Sequence, residues 1–373
     1  MKLGQIFAFF IFMFGTNFNP IAAFAIEKPT ITSKNQMVKL LEVKNFTDWV
    51  VGCDNMLQCR TVIFRDYNDI WNDEFPELII SRTAGRDEKG NASIILQGLS
   101  DKESVEFIID GKSYNYKSNN DGANTANGDF VIKNSNASTL IAQMLKGNIL
   151  KLKGKGGKDL GSLSLNGMSA SLRYMDALQK RAGTTSALVA KGRQIYTLSP
   201  PSIPIIKAAK IGKEAAMPSK AMVKNFAEKS SCSEDRMMDI EDNVYSLGTY
   251  KGKIRALVII FCGSGAYNIS NAIYIAEKQG KNWIYYPAKF NITEYGTEPD
   301  GVTILVNSAW DPLTQTLDHY VKFRGLGDCG QSASYVWDGE IFRLSQNSIM
   351  PECRGSIDYI SNYNAKIEYV LDK

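Results

Sequence analysis

The sequence has few of the residues from which catalytic sites are usually built. Its 373 residues include one histidine, His319, and six cysteines. It has no G-x-S-x-G motif, no H-E-x-x-H motif and no complete S-x-x-K set, which mark hydrolases, zinc proteases and acyl enzymes. A catalytic histidine also needs an orienting partner, so we expect His319 to be a packing or surface residue. The sequence therefore argues against a Ser-His-Asp enzyme.

The chain also lacks the signatures of cofactor and metal sites. The glycines of KLKGKGGKDLG are not followed by the Gly-Lys-Ser/Thr of a phosphate-binding loop, and we expect a basic turn there. The stretch NNDGANTANGD lacks the ligand spacing and the final glutamate of a calcium-binding EF-hand. There is no C-x-x-C pair, and a single histidine cannot build the common zinc sites. We therefore expect no cofactor and no metal.

Residues 1–25 have the organisation of a secretory signal peptide. Lys2 gives a positive start, Ile6 to Phe14 form an apolar run, and Ala23-Phe24-Ala25 supplies the small residues that a signal peptidase reads. The apolar run is shorter than the roughly 20 residues that span a bilayer, so cleavage is favoured over a retained anchor. No later segment has the length and apolarity of a membrane span. We expect a periplasmic protein or, as the alternative, a secreted or cell-surface one.

The charge of the mature chain limits its partners. Cleavage after Ala25 removes Lys2 and no acid, which leaves 42 basic and 39 acidic side chains and a net charge of +3. This balance argues against a nucleic-acid partner and against binding to a membrane surface. The remaining 348 residues exceed what one core usually holds, so two domains are expected.

The six cysteines indicate disulfide bonds, because an exported protein meets an oxidising compartment. Fifteen pairings are possible in principle. Cys53 and Cys59 are close together and far from the others, so we expect them to pair across a hairpin. For the remaining four, the order along the chain favours Cys232 with Cys262 and Cys329 with Cys353.

The periodicity of apolar residues predicts a mainly β protein. An N-terminal α+β domain is predicted at 38–193, with half-buried strands such as TDWVVGCD and CRTVIFRD and a final strand, SALVA. Its two helices are NASTLIAQMLKG and SASLRYMDALQKRAG; the second places Met168, Leu172, Met175 and Leu178 on one face. A Pro- and Lys-rich linker at 199–231 holds a short helix near 219–229. An all-β C-terminal domain at 232–373 is predicted to be an antiparallel sandwich or a curved meander, with hairpins through Gln279-Gly280 and Asp338-Gly339.

One group of acids and aromatics in the C-terminal domain is the best candidate for a site. Our candidate binding residues are Trp310, Asp311, Asp328, Trp337 and Asp338. Glycosidases use two carboxylates about 5–10 Å apart, beside aromatic rings on which a sugar stacks. The acids that could supply such a pair are Asp311, Asp318, Asp328, Asp338 and Glu352, and the nearby aromatics are Trp310, Tyr320, Tyr335 and Trp337. Aspartates in hairpin turns and aromatics in the core explain the same residues and are the favoured interpretation.

Several long motifs resemble a family of exported proteobacterial proteins, the domain of unknown function 1176. The motifs are DWVVGCDNMLQCR, LGSLSLNGMSASLRYMDALQKRAGTTSALVAKG, CGSGAYNISNAIYIA, WDPLTQTL, RGLGDCGQSASYVWDGEIFRL and MPECRG. The first half is also loosely similar to the invasion-associated locus B proteins. The family resemblance implies export, disulfides and two halves, and it supplies no catalytic residues.

Three functions are compatible with these features. The absence of catalytic motifs in a disulfide-bonded β scaffold favours a non-enzymatic binding or interaction protein, with an envelope protein or a glycan as its partner. The alternative is an enzyme that acts on cell-wall glycan through paired carboxylates of the C-terminal domain. The third possibility is an inhibitor of a hydrolase, for which the Asn/Gly-rich loop at 119–129 is the candidate contact.

Overall fold

Strands dominate the computed structural model, as the sequence predicts. It describes residues 37–64, 76–85, 92–99, 104–117, 129–212, 215–233, 240–292 and 301–371. The predicted signal peptide and all of the 119–129 loop except Asp129 lie outside these ranges. The described ranges contain 22 strands and three α-helices, so the prediction of a mainly β protein is confirmed.

In its described ranges, the first half contains ten strands and two helices around one apolar core. A six-stranded antiparallel sheet has the order β1-β2-β3-β4-β5-β8, and a four-stranded antiparallel sheet has the order β10-β9-β6-β7. The strands of the first sheet are β1 (Lys44–Phe46), β2 (Trp49–Cys53), β3 (Cys59–Ile63), β4 (Glu77–Arg82), β5 (Ala92–Gln97) and β8 (Phe130–Lys133). Those of the second are β6 (Ser104–Ile109), β7 (Lys112–Lys117), β9 (Ile149–Lys153) and β10 (Asp159–Ser164).

Both helices of the first half pack on the six-stranded sheet. Helix α1 (Asn134–Met144) lies against β5 and β8, and α2 (Met168–Leu178) lies against β1, β2 and β3. The predicted stripe of α2 is correct for Met168, Leu172 and Met175, which are fully buried, while Leu178 packs at the edge of the core. Apolar residues every three to four positions thus place one face of α2 in the core.

The predicted strand at residues 186–190, SALVA, is wrong. This segment is a loop, because its backbone amides are taken by a side chain rather than by a neighbouring strand. The buried carboxylate of Asp176 accepts hydrogen bonds from the amides of Leu188, Val189 and Ala190 at 2.9–3.3 Å. It also forms a buried salt bridge with Arg82. A buried charge requires such partners, and here the loop backbone provides most of them.

The second half is a sandwich of two antiparallel sheets, as predicted. One five-stranded sheet has the order β12-β13-β14-β15, with β16 also paired to β14; the other has the order β17-β18-β19-β20-β21. The strands of the first are β12 (Asn243–Tyr250), β13 (Lys253–Ser264), β14 (Ile269–Gln279), β15 (Asn282–Pro287) and β16 (Ile304–Val306). Those of the second are β17 (Ala309–Asp311), β18 (Thr316–Lys322), β19 (Gly330–Trp337), β20 (Phe342–Met350) and β21 (Ile360–Asn364). The hairpins through Gly280 and Gly339 join β14 to β15 and β19 to β20, as the sequence predicts.

The segment between the halves forms regular structure. Strand β11 (Ile205–Ala209) pairs in parallel with the C-terminal strand β22 (Lys366–Val370). Helix α3 (Lys220–Ala227) begins after Ser219, whose side chain accepts a hydrogen bond from the Met222 amide. The helix packs on the outer face of the β12–β16 sheet through Val223 and Ala227. Residues 199–231 therefore contain a strand that the linker interpretation did not include, while the division into two domains stays a prediction.

The three disulfide bonds have the predicted pairing. Cys53 bonds to Cys59, Cys232 to Cys262 and Cys329 to Cys353, which accounts for all six cysteines. The first joins two paired strands, since Cys53 of β2 lies directly opposite Cys59 of β3.

The six-stranded sheet is buried on both faces at its centre. All five residues of β2 are buried, whereas the sequence predicts a half-buried strand. Trp49 and Val51 enter the core of the first half. Val50, Val62 and Ile79 form a second apolar cluster with Cys329, Met350 and Ile360 of the second half. Strand β2 contacts β21 of the other half. The face of β2 that the alternating pattern predicts to be exposed to water is therefore covered by protein.

Polar contacts surround this shared apolar cluster. Arg60 pairs with Asp358, and the Ser356 hydroxyl donates to Glu77. A further salt bridge joins Arg354 to Asp48 at 2.9 Å. The side-chain amide of Asn364 donates to the carboxylate of Asp54 at 3.0 Å. These contacts join the N-terminal β2–β4 region to the segment that follows the Cys329–Cys353 bridge.

We predict that the two halves unfold together because of this shared cluster. Changing Ile360→Ala removes a fully buried side chain from it, so the free energy of unfolding should fall by about 2–5 kcal/mol. Leu313→Ala, at a 92% exposed position, is the matched control and should change it by less than about 0.5 kcal/mol. Urea unfolding followed by circular dichroism measures both. A loss below about 1 kcal/mol for Ile360→Ala would contradict the packing described here.

The single histidine is a packing residue inside the sandwich. His319 lies on β18 and is 3% exposed, and its Nδ1 accepts a hydrogen bond from the Val306 amide at 2.9 Å. Burial lowers the pKa of His319 from its usual 6.5 to about 4, although the carbonyl of Val306, 3.1 Å from Nδ1, favours a protonated ring and opposes the shift. The neutral ring is therefore the form that the fold accommodates.

This burial predicts a pH-dependent loss of stability. Below pH 6.5 the unfolded chain binds a proton at His319 that the folded chain does not bind until about pH 4, so stability falls as the pH falls across this window. The shift corresponds to about 3 kcal/mol at pH 4. In His319→Asn the side-chain oxygen can replace Nδ1 as acceptor, and nothing there titrates. The stability deficit of this variant relative to wild type should therefore shrink by about 3 kcal/mol between pH 7 and pH 4 in urea titrations. A deficit that is constant over this range would show that His319 does not titrate as described.

Candidate functional site

The acids proposed from the sequence lie at different places on the β17–β21 sheet. Asp311 and Asp338 are at one end, since Asp311 pairs with Thr316, which lies opposite Val336. Asp328 and Glu352 are at the other end, beside the paired residues Gly330 and Met350. The six steps along the strand from Gly330 to Val336 span about 20 Å at a rise of about 3.3 Å per residue, which exceeds the carboxylate separation of glycosidases. The two ends therefore cannot share one catalytic pair.

At the first end, each acid is held by its own turn. Asp311 accepts hydrogen bonds from the Leu313 amide and the Thr314 hydroxyl, both at 2.8 Å. These bonds lower the pKa of Asp311, whereas a general acid needs a raised one. Asp338 accepts from the amides of Glu340 and Ile341 and pairs with Arg343 at 2.7 Å. Asp311 and Asp338 therefore fit the interpretation that these acids are aspartates of hairpin turns.

The other acids are also engaged. Asp328 is buried and paired with Arg324, and it accepts from the Gly355 amide at 2.7 Å. Burial would raise its pKa, but these bonds and the charge of Arg324 hold the pKa below its usual value. Asp318 accepts from the Ser334 hydroxyl, and Glu352 accepts from Asn45. Each acid of the predicted group is therefore held by hydrogen bonds or an ion pair with neighbouring residues.

The two candidate tryptophans belong to the core. Trp310 and Trp337 are 6% and 2% exposed, and both rings pack against Phe342, with centroids 6.5 and 5.1 Å apart. A sugar needs an exposed ring face on which to stack. The rings of Trp310 and Trp337 instead stabilise the contact between the two sheets of the sandwich.

A cleft of about 560 Å³ opens where the two sheets separate, next to the β19–β20 hairpin. Strands β13, β14 and β15 form one wall, and Trp337, Ile341 and Arg343 belong to the other. Its volume falls in the range of about 300–1,000 Å³ that small-molecule sites occupy. Of the residues proposed from the sequence, Trp337 lines this cleft and Asp338 holds the wall residue Arg343. Trp310 lines a smaller cavity, and Asp311 and Asp328 line neither.

The strand register of the β12–β16 sheet places the residues of this cleft wall side by side. Arg255 lies opposite Glu277, and Ile275 lies opposite Tyr286. Because side chains alternate between the faces of a strand, Ile275 and Glu277 project from the same face of β14, and their partners project with them. The sequence did not single out these residues, since they come from three strands whose pairing is not visible in the sequence.

Arg255 ties the two walls together. Its guanidinium pairs with Glu277 at 3.0 Å, and its Nη1 donates to the carbonyl of Gly339 in the opposite hairpin at 2.7 Å. Lys253 adds a second cation to Glu277 at 3.0 Å. Burial would raise the pKa of Glu277, but Lys253 and Arg255 hold it below its usual value. The carboxylate is therefore ionised and occupied at neutral pH.

The hairpin that carries the second wall needs glycine at position 339. Its φ of +97° lies in the region that favours glycine, and a Cβ there would lie 2.4 Å from the ring of Tyr250. The close approach brings the Gly339 carbonyl within reach of Arg255.

The floor of the cleft is held by backbone contacts. Asn291 accepts from the Leu344 amide through its side chain and from the Val38 amide through its carbonyl, both at 2.8 Å. The ring of Phe290 stacks on Phe342 at 5.3 Å. The shape of the cleft is therefore fixed before any ligand arrives.

Trp337 and Lys289 belong to the cleft lining and each carry a donor without a protein partner in the described part of the chain. The indole Nε1 of Trp337 is buried and has no acceptor there. Lys289 is exposed, and its ammonium forms no ion pair with any described residue. Of the two, the Lys289 ammonium is the exposed one and can contact an incoming acceptor.

Within the described ranges, no helix is long and apolar enough to cross a membrane. The same residues contain no group of three or more histidine, cysteine, aspartate or glutamate side chains placed to hold a metal ion.

Comparison with known proteins places the chain in a family. A relative from Escherichia coli strain K12, "Uncharacterized protein YpfG", is 27% identical over 325 residues, which cover 83% of this chain and 88% of the relative. No solved structure matches the chain. The looser similarity to invasion-associated locus B proteins stays an expectation. The family model described as "Protein of unknown function (DUF1176)" matches residues 43–363, and the chain belongs to that family.

Proposed function

We propose that this protein is a non-enzymatic binding protein of the bacterial envelope, located in the periplasm, that holds a small ligand in the cleft of its C-terminal sandwich. The observation that carries the proposal is the cleft itself. It combines a suitable volume with apolar walls, including Ile275, Tyr286 and Ile341, and a few polar groups. This mixture is typical of small-molecule sites.

The state of the charged wall residues favours binding over catalysis. Glu277 is paired with two cations, Arg343 with Asp338, and Glu340 with Lys251. A general acid or base needs a pKa near the working pH, whereas the pKa of Glu277 is lowered. The cleft therefore offers fixed charges and apolar surface rather than a group that exchanges protons at neutral pH.

The proposed location has support from the covalent structure. Three disulfide bonds include every cysteine of the sequence. Such bonds persist in the periplasm and are rare in the cytosol. The N-terminal 25 residues also have the pattern of an export signal.

Filling the cleft should abolish binding of a neutral apolar probe. We expect the fluorophore N-phenyl-1-naphthylamine to bind the wild-type protein and to bind the variant Ile341→Trp at least about tenfold more weakly, a change of about 1.4 kcal/mol. The reason is that a larger side chain at this wall position occupies the space of the probe. Fluorescence titration measures both dissociation constants, and circular dichroism checks that the variant is folded.

The control for this experiment is the same substitution at a distant site. Ile195 is 79% exposed and does not line the cleft, so Ile195→Trp should bind the probe as wild type does. Equal affinity of wild type and folded Ile341→Trp, or no binding by wild type, would refute the cleft as the binding site.

A further inference from the structure

We infer that the ligand of this cleft is an anionic amphiphile: a carboxylate, phosphate or sulfonate attached to a flat apolar body, with its anionic group at Lys289. The inference rests on the proposed function and adds the chemical class of the ligand. It comes from the balance of charges, from the donors and acceptors still available, and from the placement of apolar surface.

One cation of the cleft lining, Lys289, forms no ion pair with a described residue. Arg255 is balanced by Glu277, and Arg343 is balanced by Asp338. Glu340 is balanced by Lys251. Lys289 is the remaining charged residue of the lining, and it has no ion-pair partner among the described residues. A cationic ligand would meet a like charge there, whereas an anionic ligand would find a partner.

The hydrogen-bonding groups point to the same class. Three acceptor side chains of the cleft are already engaged: both oxygens of Glu277 accept from Lys253 and Arg255, the side-chain oxygen of Asn291 accepts from the Leu344 amide, and Oε1 of Glu340 accepts from Lys251. The ammonium of Lys289 is an exposed donor of the lining that forms no ion pair with a described residue. A ligand with an acceptor can use this ammonium, and an ionised acceptor forms the stronger hydrogen bond.

Apolar surface lies next to the cation. Tyr286 and Pro287 precede Lys289 by two or three residues, and Tyr286 is 43% exposed. Ile341 lines the cleft from the opposite hairpin. The walls thus offer aromatic and aliphatic surfaces that an apolar body can contact and that a simple inorganic ion cannot use. A charged head on an apolar body therefore fits better than free phosphate.

Two probes that differ by one anionic group test the inference. The fluorophore 8-anilinonaphthalene-1-sulfonate has the ring system of N-phenyl-1-naphthylamine with a sulfonate added. We expect the wild-type protein to bind the sulfonate about tenfold more tightly than the neutral probe, because of the charge-assisted contact with Lys289. Lys289→Gln should remove this preference and leave the affinity for the neutral probe within about twofold. Added salt should weaken only the binding of the sulfonate.

Lys278→Gln is the matched control, since Lys278 is exposed on β14 and does not line the cleft. It should leave both affinities unchanged, which separates a contact at Lys289 from a general loss of positive charge. Equal affinities of the two probes, or an unchanged preference in Lys289→Gln, would overturn the inference while the proposed function stands. Failure of both probes to bind wild type would overturn the proposed function as well.

Discussion

The apolar layer between the two sheets of the C-terminal sandwich is the contact on which the cleft depends. Leu257 and Ile273 of one sheet pack with Tyr335, Phe342 and Leu344 of the other, and all five are buried. Toward the β19–β20 hairpin the layer ends, and the facing side chains become charged. Arg255 then replaces apolar packing as the link between the sheets. The cleft is the space between the two sheets at the point where charged side chains replace apolar ones.

The first half of the chain supports the C-terminal sandwich by packing against it. Its β2 strand is buried on both faces, because Val50 packs with Met350 and Ile360 of the second half. The Cys329–Cys353 bridge lies in the same cluster, so a covalent link reinforces the region where the halves meet. The N-terminal segment also reaches the cleft, where the Val38 amide donates to Asn291. The proposed binding site is therefore supported by the N-terminal segment as well as by the second half of the chain.

The sequence predicts features that depend on neighbours along the chain. The hairpin at Asp338-Gly339, the buried face of α2 and the pairing of Cys53 with Cys59 are of this kind. It does not predict features that depend on distant strands. Two-sided burial of β2 requires β21, which lies some 300 residues further on. The wall formed by Arg255, Glu277 and Tyr286 requires the register of three strands.

Trp310 and Trp337 were candidates for a binding surface because composition does not show whether a ring faces the core or the solvent. Only Trp337 lines the cleft that we propose as the site.

The central claim, that a ligand occupies the cleft beside Trp337, can be tested directly by nuclear magnetic resonance. The chain has five tryptophans, so a ¹⁵N-labelled sample gives five indole signals at most, and the variant Trp337→Phe assigns the one from Trp337. On titration with 8-anilinonaphthalene-1-sulfonate we expect the Trp337 indole signal to move further than the other four, since among Trp49, Trp283, Trp310 and Trp337, the described tryptophans, Trp337 is the one that lines the cleft. A titration that moves the signal of Trp49 or Trp310 and leaves that of Trp337 in place would contradict the account.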